Sequence, residues 1–260
     1  MALDFAFPYC SRTGILCLTL ILFLLIAKQS LKITPTKDYS LFLFLGFLLS
    51  LHWVTFFQSI QVSTVAVGLL SYSSFPVFTA FLEPLFSREK LDKVNIFFAF
   101  FCIFGVFLII PRFDLSNSIS QGVLWGLLSG LTFAILSILN RKLSQKHSSL
   151  VIAFFQDSFA ILFLFPFLFL SRLIFSLKNL LLLAILGIFC TAGAHTLFIK
   201  GMRKVRAQTA SIISTLEPVY GIVLAFLFLH EIPSLRSILG GIIILGTALI
   251  VSLRTRDRMA

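Results

Sequence analysis

The chain has 260 residues, of which 58% belong to the hydrophobic set and 12% are charged, with 32 phenylalanines and a formal net charge of +11. A soluble domain of this size buries only about 70 to 75% of its unfolded surface and carries roughly 25% charged residues, so this composition excludes an ordinary soluble enzyme and a disordered protein. A membrane span takes about 20 apolar residues, which limits the chain to about ten spans with short loops and leaves no room for an aqueous domain.

In chain order, nine apolar stretches of helix length succeed one another: 10 to 27, 39 to 60, 63 to 86, 94 to 111, 121 to 140, 149 to 171, 179 to 199, 207 to 229 and 235 to 253. Their long Phe, Leu and Ile runs lack the alternation of an outer-membrane barrel, so they predict an all-α polytopic bundle of about nine transmembrane helices. The first stretch reads as a span and not as a signal peptide, because Asp4 precedes it and no small-x-small cleavage site comes before Lys28. Cys10, Cys17, Cys102 and Cys190 show no paired spacing and read as packing residues, so no metal site is expected.

Basic residues cluster after every second span: Lys28, Lys32 and Lys37; Arg88, Lys90 and Lys93; Arg141, Lys142 and Lys146; Lys200, Arg203, Lys204 and Arg206; Arg254, Arg256 and Arg258. These make 16 of the 21 basic residues, against Arg12, Arg112, Arg172, Lys178 and Arg236 on the other face. Such a bias places the richer face, and with it the C-terminus, in the cytoplasm. Membrane orientation thus accounts for the positive charge, and no nucleic-acid partner is expected.

An offset of 142 residues superimposes the segment from Ser73 to Lys90 on that from Thr215 to Ile232, pairing Pro76 with Pro218, Val77 with Val219 and Glu89 with Glu231. The charge count puts Glu89 and Glu231 on opposite faces, so the two copies run in opposite senses. Inverted repeats characterise secondary transporters, with the substrate site near the midplane between the halves. Pro76 and Pro218, expected within their helices, are candidate hinge or kink points for such motion.

The residues Ser63-Thr64-Val65-Ala66, Phe75-Pro76-Val77-Phe78 and Arg88-Glu89-Lys90-Leu91, with Leu216-Glu217-Pro218-Val219-Tyr220 and His230-Glu231, resemble the two EamA modules of the drug/metabolite transporter superfamily. The resemblance covers nearly the whole chain and implies a first repeat at 1–112 and a second at 120–254. Members usually have ten spans as two inverted five-helix repeats, and export or exchange amino acids, nucleotide sugars, cofactors or other metabolites. This chain supplies four spans and then five, with Arg12 where the family's second helix often carries an Arg, so the first helix of the usual ten is expected to be missing.

Charges within spans cost roughly 2.5 to 3.5 kcal/mol and count as functional candidates. Glu217, near the middle of the eighth span, suits a cationic group or a coupling proton; support of the backbone around Pro218 is the competing role. Asp157 and Gln156 lie about 12 Å into the sixth span at 1.5 Å per residue. Glu83 is close enough to its span end to be structural. His52 and Trp53 in the second span and His195 in the seventh offer rings for a zwitterionic or ring-containing metabolite, and the offset pairs Trp53 with His195. Tyr72 and Tyr220 are weaker candidates.

No phosphate loop, HExxH, GxSxG or Ser/His/Asp spacing is present, so neither an enzyme nor an ATPase is expected, and no cofactor. The expectation is therefore a bacterial inner-membrane transporter working by alternating access on amino acids or related metabolites. An S-adenosylmethionine-type cofactor is the alternative cargo, and a non-transporting or truncated protein of the same fold is the alternative role. Its expected partners are the small-molecule substrate, the lipid bilayer and, in a homodimer, a second copy.

Overall fold

The structure, a computed structural model, describes residues 38–87, 93–110, 116–168, 185–204 and 216–257, together with the single residues 114, 177, 181, 207, 210 and 214. The first expected span, with Arg12, and Glu89 lie outside the described residues. All regular elements among the described residues are helical: α1 Asp38–Val62, α2 Val65–Tyr72, α3 Phe75–Ser87, α4 Lys93–Ile109, α5 Ser118–Ser144, α6 Ser149–Leu168, a π-helical segment Leu186–Gly193, α7 Ala194–Gly201, α8 Glu217–Leu229 and α9 Leu235–Asp257. Among the described residues, four stretches are long and apolar enough to cross a membrane, namely Asp38–Val62, Val65–Phe86, Ser118–Ser144 and Ser149–Pro166.

Short polar residues set the helix boundaries. Thr64 is extended and its hydroxyl accepts from Val67 N at 3.1 Å, which caps α2. Asn117 Oδ1 accepts from Ile119 N at 2.9 Å at the start of α5. Each cap satisfies a backbone donor that the first helical turn leaves without a partner.

Two spans depart from the continuous helices expected. The third is interrupted at Ser73–Ser74, and the hydroxyls there bond back to Leu69 O and Ser71 O, each at 2.7 Å. The seventh is π-helical over Leu186–Gly193 and α-helical from Ala194 to Gly201. Pro76 and Pro218 consequently lie in the first turns of α3 and α8, not within continuous helices as the sequence suggested. The physical reason is that proline lacks an N–H, which costs nothing in a first turn and breaks a hydrogen bond further in. Interior prolines do occur, at Pro84 and Pro166. Both ends of α3 and α8 lie 142 residues apart, as do the starts of α4 and α9.

Two compact units form, one from Met1–Ser50 with Leu139–Lys204 and the other from Leu51–Ile138 with Val205–Ala260. Both draw on both halves of the sequence. In the second unit α9 packs on α4 and α8 on α2. Glycines bring these backbones together: a Cβ on Gly240 would stand 2.5 Å from the Gly105 carbonyl oxygen, and one on Gly126 would stand 2.5 Å from Ser71 Cβ. Gly122, Gly126 and Gly130 recur every four residues, so one stripe of α5 faces Ser59, Ser71 and Tyr72. Lipid supplies no hydrophobic drive between helices, and close packing of small residues does this work instead. Val67, Leu70, Val77, Cys102, Val106 and Ile109 form the unit's apolar core, while Phe97, Phe100, Phe104 and Phe107 of α4 are exposed, as a lipid-facing surface requires.

In the first unit, α6 packs on α7. Aromatic contacts join the N-terminal half of α1 to α6, with ring centroids 5.4 Å apart in both Phe42–Phe155 and Phe47–Phe163.

Candidate functional site

Inside the first unit, three helices deliver polar side chains to an otherwise apolar interior. Asn140 from α5, and Gln156 and Asp157 from α6, are buried; Asp157 has 0% of its surface exposed. Gln156 Nε2 donates to Asn140 Oδ1, and Asn140 Nδ2 lies 3.5 Å from Gln156 Oε1, so the two amides pair head to head. From α7, His195 places Nδ1 3.7 Å from Asp157 Oδ1. That separation exceeds the roughly 2.7 to 2.9 Å of a charge-assisted hydrogen bond. Neither ring nitrogen of His195 makes a hydrogen bond among the described residues. These two pairs supply amide donors and acceptors, a carboxyl and an imidazole, the kinds of group that complement a zwitterion or a polar ring. At the end of the same unit, His147 Nε2 and Asp38 Oδ2 are 2.9 Å apart, joining the connection after α5 to the start of α1.

The second unit treats its histidine differently. His52 is buried, with Nδ1 2.9 Å from the Ser129 hydroxyl and 3.2 Å from the Ser129 carbonyl. A carbonyl can only accept, so this pairing puts the proton on Nδ1. Phe56, Tyr72 and Phe133 surround the imidazole, with centroids 5.0 to 6.0 Å away. Tyr72 in turn stacks on Phe75 at 5.2 Å. Trp53 and Tyr72 are buried. His52 and its neighbours therefore have the character of a satisfied packing cage.

Glu217 and Tyr220 stand at the start of α8 with exposed side chains, Tyr220 at 63%. Glu217 is within electrostatic range of Tyr72. A carboxylate in a first helical turn is favoured by the helix dipole, which gives Glu217 a structural reason to be there beside any functional one. Glu83 is half-buried on α3. A cleft of about 440 Å³ between α3, α4 and α5 is lined by apolar residues including Val77, Phe81, Cys102 and Val106, and it offers a polar solute little besides Ser74. Among the described residues, no group of three His, Cys, Asp or Glu side chains is placed to hold a metal ion.

Three residues outside the expected site residues have definite bonding roles. Asn140 and Ser129 are the partners of Gln156 and His52; the signal for each was a polar residue in an apolar run, but which helix it would meet depends on packing. The third is Glu231. His230 ends α8 in the left-handed region with φ 55°, and the turn it makes directs the next carboxylate onto Val65 N at 3.1 Å and Ala66 N at 3.0 Å. This carboxylate satisfies the first donors of α2 together with the Thr64 cap. Glu231 thus has a definite bonding role beyond marking the repeat.

Residues 8–110 and 120–253 match the sequence pattern described as the EamA-like transporter family. An uncharacterized transporter of Bacillus subtilis, YxxF, is 28% identical over 218 residues, which cover 82% of this chain and 70% of that protein. The pseudopaline exporter CntI of Pseudomonas aeruginosa is 25% identical over 240 residues, covering 90% of this chain and 82% of the exporter. A protein of known crystal structure shares the fold with a TM-score of 0.70 at 17% identity, over 99% of this chain and 89% of that one.

Proposed function

The chain belongs to the EamA-like transporter family of the drug/metabolite transporter superfamily, and from that premise we propose that it is a bacterial inner-membrane secondary transporter that exports or exchanges amino acids or related polar metabolites by alternating access. The observation that carries this reading is buried Asn140, Gln156 and Asp157, with half-buried His195 facing Asp157, within apolar helices. Polar groups inside a membrane bundle are expensive, and their use there is to replace the hydration of a polar solute or ion. The name of the Pseudomonas aeruginosa relative, a pseudopaline exporter, favours export of a small metabolite.

Alternating access needs two halves of related structure and places to bend. The shared 142-residue spacing of α3 with α8 and of α4 with α9 supports inverted repeats at 1–112 and 120–254. The interruption at Ser73–Ser74 ahead of Pro76 and the start of α8 at Glu217–Pro218 are our candidate hinges, since discontinuous helices commonly form transporter sites. Among the substrate residues we place Asn140, Gln156, Asp157 and His195 first. Glu217 and Tyr220 come next through their exposure, and the caged His52, Trp53 and Tyr72 come last. Orientation with the C-terminus in the cytoplasm rests on the distribution of basic residues.

The test is counterflow of radiolabelled amino acids into liposomes containing the purified protein. Wild-type protein is expected to exchange at least one of them, and Gln156→Leu to lower the rate about tenfold by leaving Asn140 without its amide partner. Absence of exchange with every amino acid would remove this substrate class.

A further inference from the structure

The approach of His195 to Asp157 depends on an unusual piece of backbone. The π-helical segment Leu186–Gly193 leads directly into α7, and His195 is the second residue beyond it. A π-turn carries an extra residue per turn and is held by poorer geometry than an α-turn, which is why such segments are short, rare and concentrated at functional sites. At its end, a Cβ on Gly193 would come 3.3 Å from the carbonyl oxygen of Ile188, five residues back, so glycine leaves that wide turn uncrowded.

The pair has the chemistry of proton exchange. A carboxyl and an imidazole are the side-chain types that exchange protons most readily near neutral pH, and ionisable groups buried in a membrane bundle characteristically serve as proton relays. Asn140 and Gln156 beside them stay uncharged at every pH in this range. The other charged side chains described in this unit lie at helix ends and connections: Asp38 with His147, and the basic residues of 141–146 and 200–204.

We propose that Asp157 and His195 together form the proton-exchange site that couples this transporter to the proton gradient. The inference rests on the transport reading and names its coupling ion. In one access state the pair holds one proton more than in the other, as imidazolium beside carboxylate. Release of that proton to water breaks one N–H bond and leaves neutral imidazole beside carboxylate. Uptake from the opposite side restores the bond, so each cycle moves one proton and consumes nothing else. Conversion of one π-turn to α-helix shifts the register by one residue and rotates the start of α7 by about 100°, which carries His195 away from Asp157 and couples protonation to shape.

Infrared titration of the substrate-free protein in phosphatidylethanolamine/phosphatidylglycerol nanodiscs, between about pH 5 and 8, reads the site without any transport. An imidazole band that changes with pH, disappears in His195→Gln and moves its midpoint in Asp157→Asn is the expected result. Spectra of Asp157→Asn that titrate like the wild type would overturn the proposal. In liposomes of the same lipids, stimulation of radiolabelled amino-acid counterflow by an imposed pH gradient, taken relative to each protein's own counterflow without a gradient, is expected to fall about tenfold or more in Asp157→Asn. Gradient stimulation equal to wild type in that variant would also overturn it, leaving transport itself standing. If wild-type protein shows no counterflow, it is the transport reading that fails, and the infrared titration still decides whether the pair exchanges a proton.

Discussion

Two histidines set the two compact units apart, His52 buried and His195 half-buried. His52, in the second unit, has its ring nitrogen bonded to Ser129 and aromatic faces around it, whereas His195, in the first, comes just after a π-helical segment and stands 3.7 Å from a buried carboxyl. Both are polar rings in apolar surroundings, and sequence alone ranks them together. The difference teaches that burial by itself does not mark a functional group. A polar side chain whose bonds are all closed within regular helices holds the fold, while one placed against a partner at more than hydrogen-bond distance, on irregular backbone, can change partners.

If the second unit is the structural one, damage there should show first as lost stability. Gly126→Leu drives a branched side chain against Ser71 and is expected to cost about 3 kcal/mol or to prevent folding, measured by thermal unfolding in detergent. Glu231→Ala removes two hydrogen bonds from the start of α2 and is expected to cost about 2 kcal/mol by the same measurement, with Glu231→Gln recovering part of it. Ser129→Ala takes one partner from His52 and should cost about 1 kcal/mol.

The first unit should behave in the opposite way. His195→Gln with Asp157→Asn replaces both members of the pair by uncharged groups of similar size, and the melting temperature is expected to change little while transport changes greatly. A melting temperature that falls as far as in Glu231→Ala would erase the contrast between the units.

The smallest effect concerns the loop before α5. Asp114 accepts from the Ser116 hydroxyl at 2.6 Å and from its N–H at 2.9 Å, and these bonds hold its carboxyl below the usual range. Whatever stability they lend is present above the carboxyl's unfolded value of about 3.9 and is lost as pH falls through the lower folded value. Ser116→Ala should raise the Asp114 pKa, observable by NMR, with little change in melting temperature.

Much of the architecture could be read from the chain. The ends of α1 and α4 fall within two residues of the expected 39 to 60 and 94 to 111, because apolar length and polar boundaries are local properties. The interruption at Ser73–Ser74 was legible only as a proline nearby. Its hydroxyl bonds to Leu69 and Ser71 place it ahead of Pro76, where the missing N–H costs nothing. Nothing in Leu186–Gly193 distinguishes it from an α-helical run, because a π-turn is chosen by what surrounds the helix and not by local preference. Asp157 was legible as a charge in a span, and His195 as a polar ring in one.

What the sequence determined by itself was therefore the solvent, the helices and the family: composition demands a bilayer, apolar length demands spans, and the paired Pro and Glu motifs carry the resemblance that the family match bears out. Which polar residues meet was decided only by tertiary structure. Asn140 finds Gln156, Ser129 finds His52 and Glu231 finds the start of α2 across 16, 77 and about 165 residues of chain. Separations of that kind are set by which helix faces pack together, and in lipid that choice rests on the fit of glycines and hydroxyls, which no single stretch of sequence expresses.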